Sequence, residues 1–105
     1  MSSDLKVGIL GVGRIGQVHI ETLSSIAGVK PFIISDVYEP ALKSVSEKYN
    51  IPNTTKEPMD VINHPDVDAV WICSPSQFHA DQIKACAAAG KPCFCEKPIA
   101  TDLGL

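Results

Sequence analysis

Three glycines and one carboxylate carry the clearest chemistry in this sequence. "GVGRIG" sets Gly11, Gly13 and Gly16 in the spacing G-x-G-x-x-G, directly after an apolar run and at the start of a helical pattern. In that context the first glycine permits a tight turn, the second lets a pyrophosphate approach the backbone, and the third lets the helix lie close to the sheet. The helix N-terminus then turns its free N–H groups and partial positive charge toward the phosphates. Asp36 ends the next apolar run. Its carboxylate can accept hydrogen bonds from an adenosine ribose diol, or it can simply cap the following helix. A 2′-phosphate there would meet a like charge, and the nearest cation downstream is Lys43. NAD is therefore favoured over NADP. Arg14 either reaches the phosphates or the adenine, or is a solvated first-turn residue; Ile15 beside it joins the expected cofactor contacts. S-adenosylmethionine is another ligand for such a crevice, but the full three-glycine spacing argues against it. Near the other end of the chain, "CFCEKPIA" puts Glu96 and Lys97, two opposite charges, at the tip of a last short strand. For an arbitrary Glu–Lys pair the plain alternative is an exposed ion pair of small energetic weight.

Strands and helices must alternate to position these groups. "LKVGIL" (5–10) predicts a strand buried on both faces of a parallel sheet. Ile15, Val18, His19, Thr22, Leu23 and Ile26 have the spacing of one helix face, with Gly28 placed to end that helix. "VKPFIIS" (29–35) predicts a second strand, Glu39 to Lys48 a helix that turns Leu42, Val45 and Tyr49 to one side, and "IPNTT" a short edge strand. A short helix begins near Pro58 and must stop before Pro65. "VDAVWICS" (67–74) predicts another strong strand, followed by a helix over 76–89 with His79, Gln82, Ile83, Cys86 and Ala87 on one stripe, and "PCFC" (92–95) closes the series. The pattern implies an α/β, doubly wound, Rossmann-type parallel sheet of five strands in the order 3-2-1-4-5, with helices on both faces. The ligand crevice of such a sheet lies at the carboxyl ends of strands 1 and 4.

Composition narrows the possibilities. The 105 residues suit one dinucleotide-binding domain spanning 1–105, and the 45% hydrophobic and 20% charged fractions describe a globular chain. A net charge of −3 with scattered lysines offers neither a nucleic-acid footprint nor a membrane anchor. The first apolar run is too short for a signal peptide or a transmembrane helix, so a cytoplasmic location is expected. Cys73, Cys86, Cys93 and Cys95 lack paired CxxC spacing, and buried, reduced thiols are expected rather than a metal site.

In order and spacing, "GxGRIGxxH" at 11–19, the acid at 36, "SPSxxH" at 74–79 and "EKP" at 96–98 resemble the N-terminal, nucleotide-binding half of the family of glucose-fructose oxidoreductases, inositol dehydrogenases and rhizopine-catabolism proteins (Gfo/Idh/MocA). "GRIG" and "SPSQFHADQ" look especially like inositol 2-dehydrogenases. The resemblance covers essentially the whole chain. It implies NAD(P)-dependent oxidation of a secondary alcohol on a sugar or cyclitol, or the reverse reduction. It also implies that Lys97 sits beside the nicotinamide and the substrate hydroxyl, where an ammonium steadies the alkoxide that forms as hydride leaves and can relay the proton. Glu96 would orient nearby groups, Ser74 and Pro75 would line the cofactor channel, and His79 would help close the pocket, or else be a half-buried helix residue satisfied by a backbone oxygen. Members of the family carry a large second, substrate-binding domain after this point. The expectation is thus a cofactor-binding half that binds the dinucleotide and is inactive alone, taking a polyol or sugar substrate only if a second domain is supplied. A stand-alone nucleotide-binding or redox-sensing module and a small enzyme with a dimer-interface pocket are the competing readings. The open sheet edge at strand 5 would suit a homo-oligomer.

Overall fold

A computed structural model describes residues 4–74 and 76–95. Its strands are β1 (Leu5–Leu10), β2 (Val29–Ser35), β3 (Asn53–Thr55), β4 (Ala69–Ile72) and β5 (Cys93–Cys95). Between them run α1 (Arg14–Ser24), α2 (Glu39–Tyr49), α3 (Pro58–Ile62) and α4 (His79–Ala88), the last entered through a 3₁₀ turn at Ser76–Phe78. All strand pairs are parallel and the order is β3-β2-β1-β4-β5, as the alternating pattern predicts. This is a Rossmann fold.

The sheet is central because its strands bury both faces. Val7 and Ile9 of β1 and Ile34 of β2 pack with Ile20 and Leu23 of α1 and Leu42 and Val45 of α2. Leu10, Ile33, Val70 and Ile72 look the other way, onto Val61 and Ile62 of α3 and Cys86 of α4. Each fully buried aliphatic side chain contributes roughly 1.5–3 kcal/mol relative to exposure, so these two clusters supply the main drive for folding. Pro31 costs β2 nothing on its outer side, because β3 pairs only with Ile33–Ser35. Against β1 the register slips by one residue between Val7 and Gly8, which lets Phe32 bulge toward the α3 side.

Two helices are rotated from their expected faces. Of the six residues expected to line α1's apolar face, only Leu23 is buried; Ile15 and Val18 are 47% and 56% exposed. The helix instead turns Gly16, Ile20 and Leu23 inward. A glycine adds nothing to an apolar stripe, yet at position 16 it marks where the helix touches the sheet. α1 also stops at Ser24, ahead of Gly28, which takes φ +85° in the turn into β2. On α4, Cys86 is fully buried as expected while Ile83 is 41% exposed, and the half-buried Gln82, Ala85 and Ala89 complete the inner side. The strand expected over 67–74 is confined to Ala69–Ile72.

Trp71 of β4 packs at the border of the α1/α2 core and stacks on Phe94 of β5, with ring centroids 4.4 Å apart. Among the described residues no helix is long and apolar enough to cross a membrane.

Candidate functional site

Where the winding reverses, the carboxyl ends of β1 and β4 part and leave a crevice of about 780 Å³. Its size is that of a ligand cleft. Gly11, Gly13, Arg14, Ile15 and Asp36 border it on one wall, Ser74 and His79 on the other, all seven being expected contacts. Gly16 is not at the surface of the crevice but buried beneath it. Pro75, Glu96 and Lys97 lie outside the described residues.

Backbone geometry builds the first wall. Gly11 N–H donates to the Ser35 carbonyl at 2.8 Å and Cys73 N–H to the Leu10 carbonyl at 2.8 Å, extending the sheet pairing just past β1. Asp36 clamps the turn: its Oδ2 accepts Val12 N–H at 2.9 Å and its Oδ1 accepts Tyr38 N–H at 2.9 Å. The second bond is the helix-entry role that any aspartate there could play, and the first ties the glycine turn to β2. A carboxylate has about four acceptor positions, so lone pairs remain for a ribose diol. Gln17 Nε2 adds a bond to the Val12 carbonyl at 3.0 Å, and no side chain caps the first turn of α1, leaving its N–H groups facing the crevice.

The three motif glycines are required by different neighbours. A Cβ at Gly16 would fall 2.1 Å from the Gly11 carbonyl oxygen, and one at Gly11, where φ is +94°, would fall 2.9 Å from the Cys73 backbone. Protein excludes a side chain at both. At Gly13 a Cβ would meet nothing within 4 Å. The space over Gly13, flanked by uncapped helical N–H groups and Arg14, fits a pyrophosphate, and the Asp36 carboxylate fits the ribose beyond it. The residues present therefore suit a dinucleotide.

Side chains build the second wall. His79 is half-buried, and its Nε2 lies 2.7 Å from the Ser74 carbonyl oxygen. A carbonyl only accepts, so Nε2 carries a proton, and in the tautomer with its single proton there Nδ1 is an acceptor. Cys95 Sγ lies 2.9 Å from that Nδ1, which makes it the donor. The imidazole is thus held from both sides while it borders the crevice, and its contact with the Ser74 carbonyl is the backbone oxygen expected of a half-buried helix residue. Ser74 Oγ in turn donates to Gln82 Oε1. Of the four thiols only Cys86 is fully buried, the other three being half-buried. Burial, reinforced by the adjacent Cys93, pushes the Cys86 thiol from the ordinary 9.0 up to about 11. Among the described residues no group of three or more His, Cys, Asp or Glu side chains could hold a metal ion.

Lys56 and Pro58 also border the crevice, and sequence reasoning did not find them. The one signal was the edge strand: once β3 pairs with β2, Asp36 N–H donates to the Thr55 carbonyl at 3.3 Å, and the residues after Thr55 must stand beside Asp36. Phe78 and Gln82, from the turn into α4 and its first part, close the opposite side.

Comparison with known proteins agrees with this geometry. The family model for oxidoreductases with an NAD-binding Rossmann fold, GFO_IDH_MocA, matches residues 5–104. The myo-inositol 2-dehydrogenase of Thermotoga maritima is 40% identical over 99 residues, 94% of this chain and 30% of that protein. The inositol 2-dehydrogenase of Mycolicibacterium smegmatis is 40% identical over 102 residues, 96% of this chain and 30% of that protein. Among solved structures, the scyllo-inositol dehydrogenase of Lactobacillus casei with bound NAD(H) and scyllo-inositol superposes with a TM-score of 0.85 at 35% identity, over 92% of this chain and 29% of that one. The chain spans about 30% of the length of these relatives.

Proposed function

This chain belongs to that oxidoreductase family, as its NAD-binding domain, and from this premise we propose that it binds NAD in preference to NADP and serves hydride exchange with a secondary alcohol of a sugar or cyclitol, inositol foremost. The observation that carries the reading is the open space over Gly13, framed by an uncapped helix N-terminus and the Asp36 carboxylate. Inositol is favoured by the relatives named above.

Bound there, the dinucleotide supplies the nicotinamide that takes hydride from the carbinol carbon or returns it. The chain's own residues orient it. α1's first-turn N–H groups and Arg14 hold the phosphates, Asp36 accepts from the ribose hydroxyls and disfavours a 2′-phosphate, and His79, fixed by Ser74 and Cys95, closes the nicotinamide side. Lys97, two residues past the end of β5, is proposed to steady the alkoxide and take the hydroxyl proton.

Calorimetric titration of the 105-residue chain with NADH tests the cofactor half of the reading. Saturable binding is expected, and no heat at millimolar NADH would overturn it. For the substrate half, a protein joining this domain to a relative's remaining residues should reduce NAD with myo- or scyllo-inositol and lose that activity on Lys97→Ala. Undiminished turnover by that variant would remove Lys97 from the chemistry.

A further inference from the structure

Resting on the dinucleotide reading, we propose that Lys56 is a specificity-determining residue of the adenosine end, providing a counter-charge that lets the site accept NADP(H) as well as NAD(H). By the order of residues alone, Asp36 faces a 2′-phosphate without help, since Lys43 is the next cation along the chain. The fold changes this. Lys43 lies on α2 and does not border the crevice, whereas Lys56 does, together with Asp36 and Arg14. In the sheet order, β3 is across β2 from β1, so Lys56, following β3, stands on the side of Asp36 away from the glycine turn. The ribose edge that Asp36 addresses is therefore bordered by Lys56 from the β3–α3 turn, on the side away from the pyrophosphate and Arg14.

Lys56 is anchored at its backbone but not at its tip. Thr55 O accepts Asp36 N–H, Thr55 Oγ1 donates to Asp60 Oδ2 at 2.7 Å and accepts Glu57 N–H at 3.1 Å, so the turn that carries Lys56 is bonded on both sides. The Lys56 side chain is exposed, and among the described residues no hydrogen bond or ion pair engages its ammonium. A phosphate monoester carries about −1.5 to −2 charges at pH 7, so an added 2′-phosphate gains from Lys56 part of what it loses to the single charge of Asp36. NAD remains preferred, because its ribose diol keeps the Asp36 hydrogen bonds, but by a narrower margin than Asp36 alone would set.

NADH, NADPH and the half-ligands ADP and 2′,5′-ADP, titrated calorimetrically into the 105-residue chain and its Lys56→Ala and Lys56→Arg variants, test this. The Ala variant should lose roughly tenfold in affinity for NADPH and 2′,5′-ADP, and less than about twofold for NADH and ADP. The Arg variant should retain both 2′-phosphate ligands, which separates a charge effect from a disturbed turn. If NADH binds but NADPH does not, or if the 2′-phosphate ligands are no more sensitive to Lys56 than their counterparts, the proposal fails while the dinucleotide reading stands. If NADH itself does not bind, both fall.

Discussion

The two walls of the crevice are built on different principles. On the β1–α1–β2 side the shape is a backbone shape: a glycine turn, its hydrogen bonds to Ser35 and Asp36, and helical N–H groups left uncapped. On the β4–α4–β5 side it is a set of side-chain hydrogen bonds, Ser74 Oγ to Gln82, and His79 held between Cys95 and the Ser74 carbonyl. A backbone wall demands particular residues at fixed spacing, because only glycine tolerates the close approaches. The side-chain wall constrains spatial partners that lie far apart along the chain. That difference explains why one wall is legible as a motif and the other is not.

The sharpest way to break the comparison is at Gly16. Its Cβ would strike the Gly11 carbonyl, a backbone atom that cannot swing aside, so Gly16→Ala should cost about 3 kcal/mol, read as a drop in Tm of at least 10 °C by circular dichroism. A loss under about 1 kcal/mol would show that the turn yields and that the wall is not rigid.

Beneath the other wall, the raised Cys86 thiol gives a stability signal of its own. The unfolded chain ionises this thiol near 9.0 while the fold holds it neutral to about 11. Its contribution is therefore fully present below pH 9, and is lost as pH rises through that window to about 11, on the order of 3 kcal/mol in all. The uncorrected urea midpoint of the parent should therefore fall toward that of Cys86→Ala across this alkaline window, since the variant has no thiol to ionise and escapes this loss. Parallel curves would count against the burial effect.

Gly13→Ala separates binding from folding within the first wall. With nothing within 4 Å of the new Cβ and an extended backbone at φ −70°, stability should change by less than about 1 kcal/mol. NADH affinity should fall by roughly tenfold or more, the methyl standing where the pyrophosphate must come. A variant that binds NADH normally would mean that the open space is not the phosphate site. The smallest effect belongs to the second wall: Cys95→Ala removes the donor to His79 Nδ1 but leaves the Ser74 bond. It should cost about 1 kcal/mol and shift the His79 Nδ1 resonance in a nitrogen-detected NMR experiment.

Strand content, order and the location of the crevice were legible because apolar runs, glycine turns and short connections all point to one winding. The positions of Gly11, Gly13 and Asp36 at that crevice were legible for the same reason. What escaped depends on contacts between remote segments. Gly16 is invisible to any hydrophobic stripe, so α1 was turned too far toward Ile15 and Val18. Lys56 is twenty residues from Asp36 along the chain, and only the pairing of a three-residue strand, β3, makes them neighbours. The Cys95–His79 bond joins positions separated by 16 residues, and nothing in the spacing of a cysteine and a histidine announces it.

Trp71 is the sole tryptophan of the chain, and it stacks on Phe94 of β5 at the margin of the α1/α2 core. The molecule therefore carries a built-in optical probe whose emission colour reports whether β5 is docked on β4. Because reduced nicotinamide absorbs where indole emits, quenching of this one residue would register occupancy of the neighbouring crevice without any label.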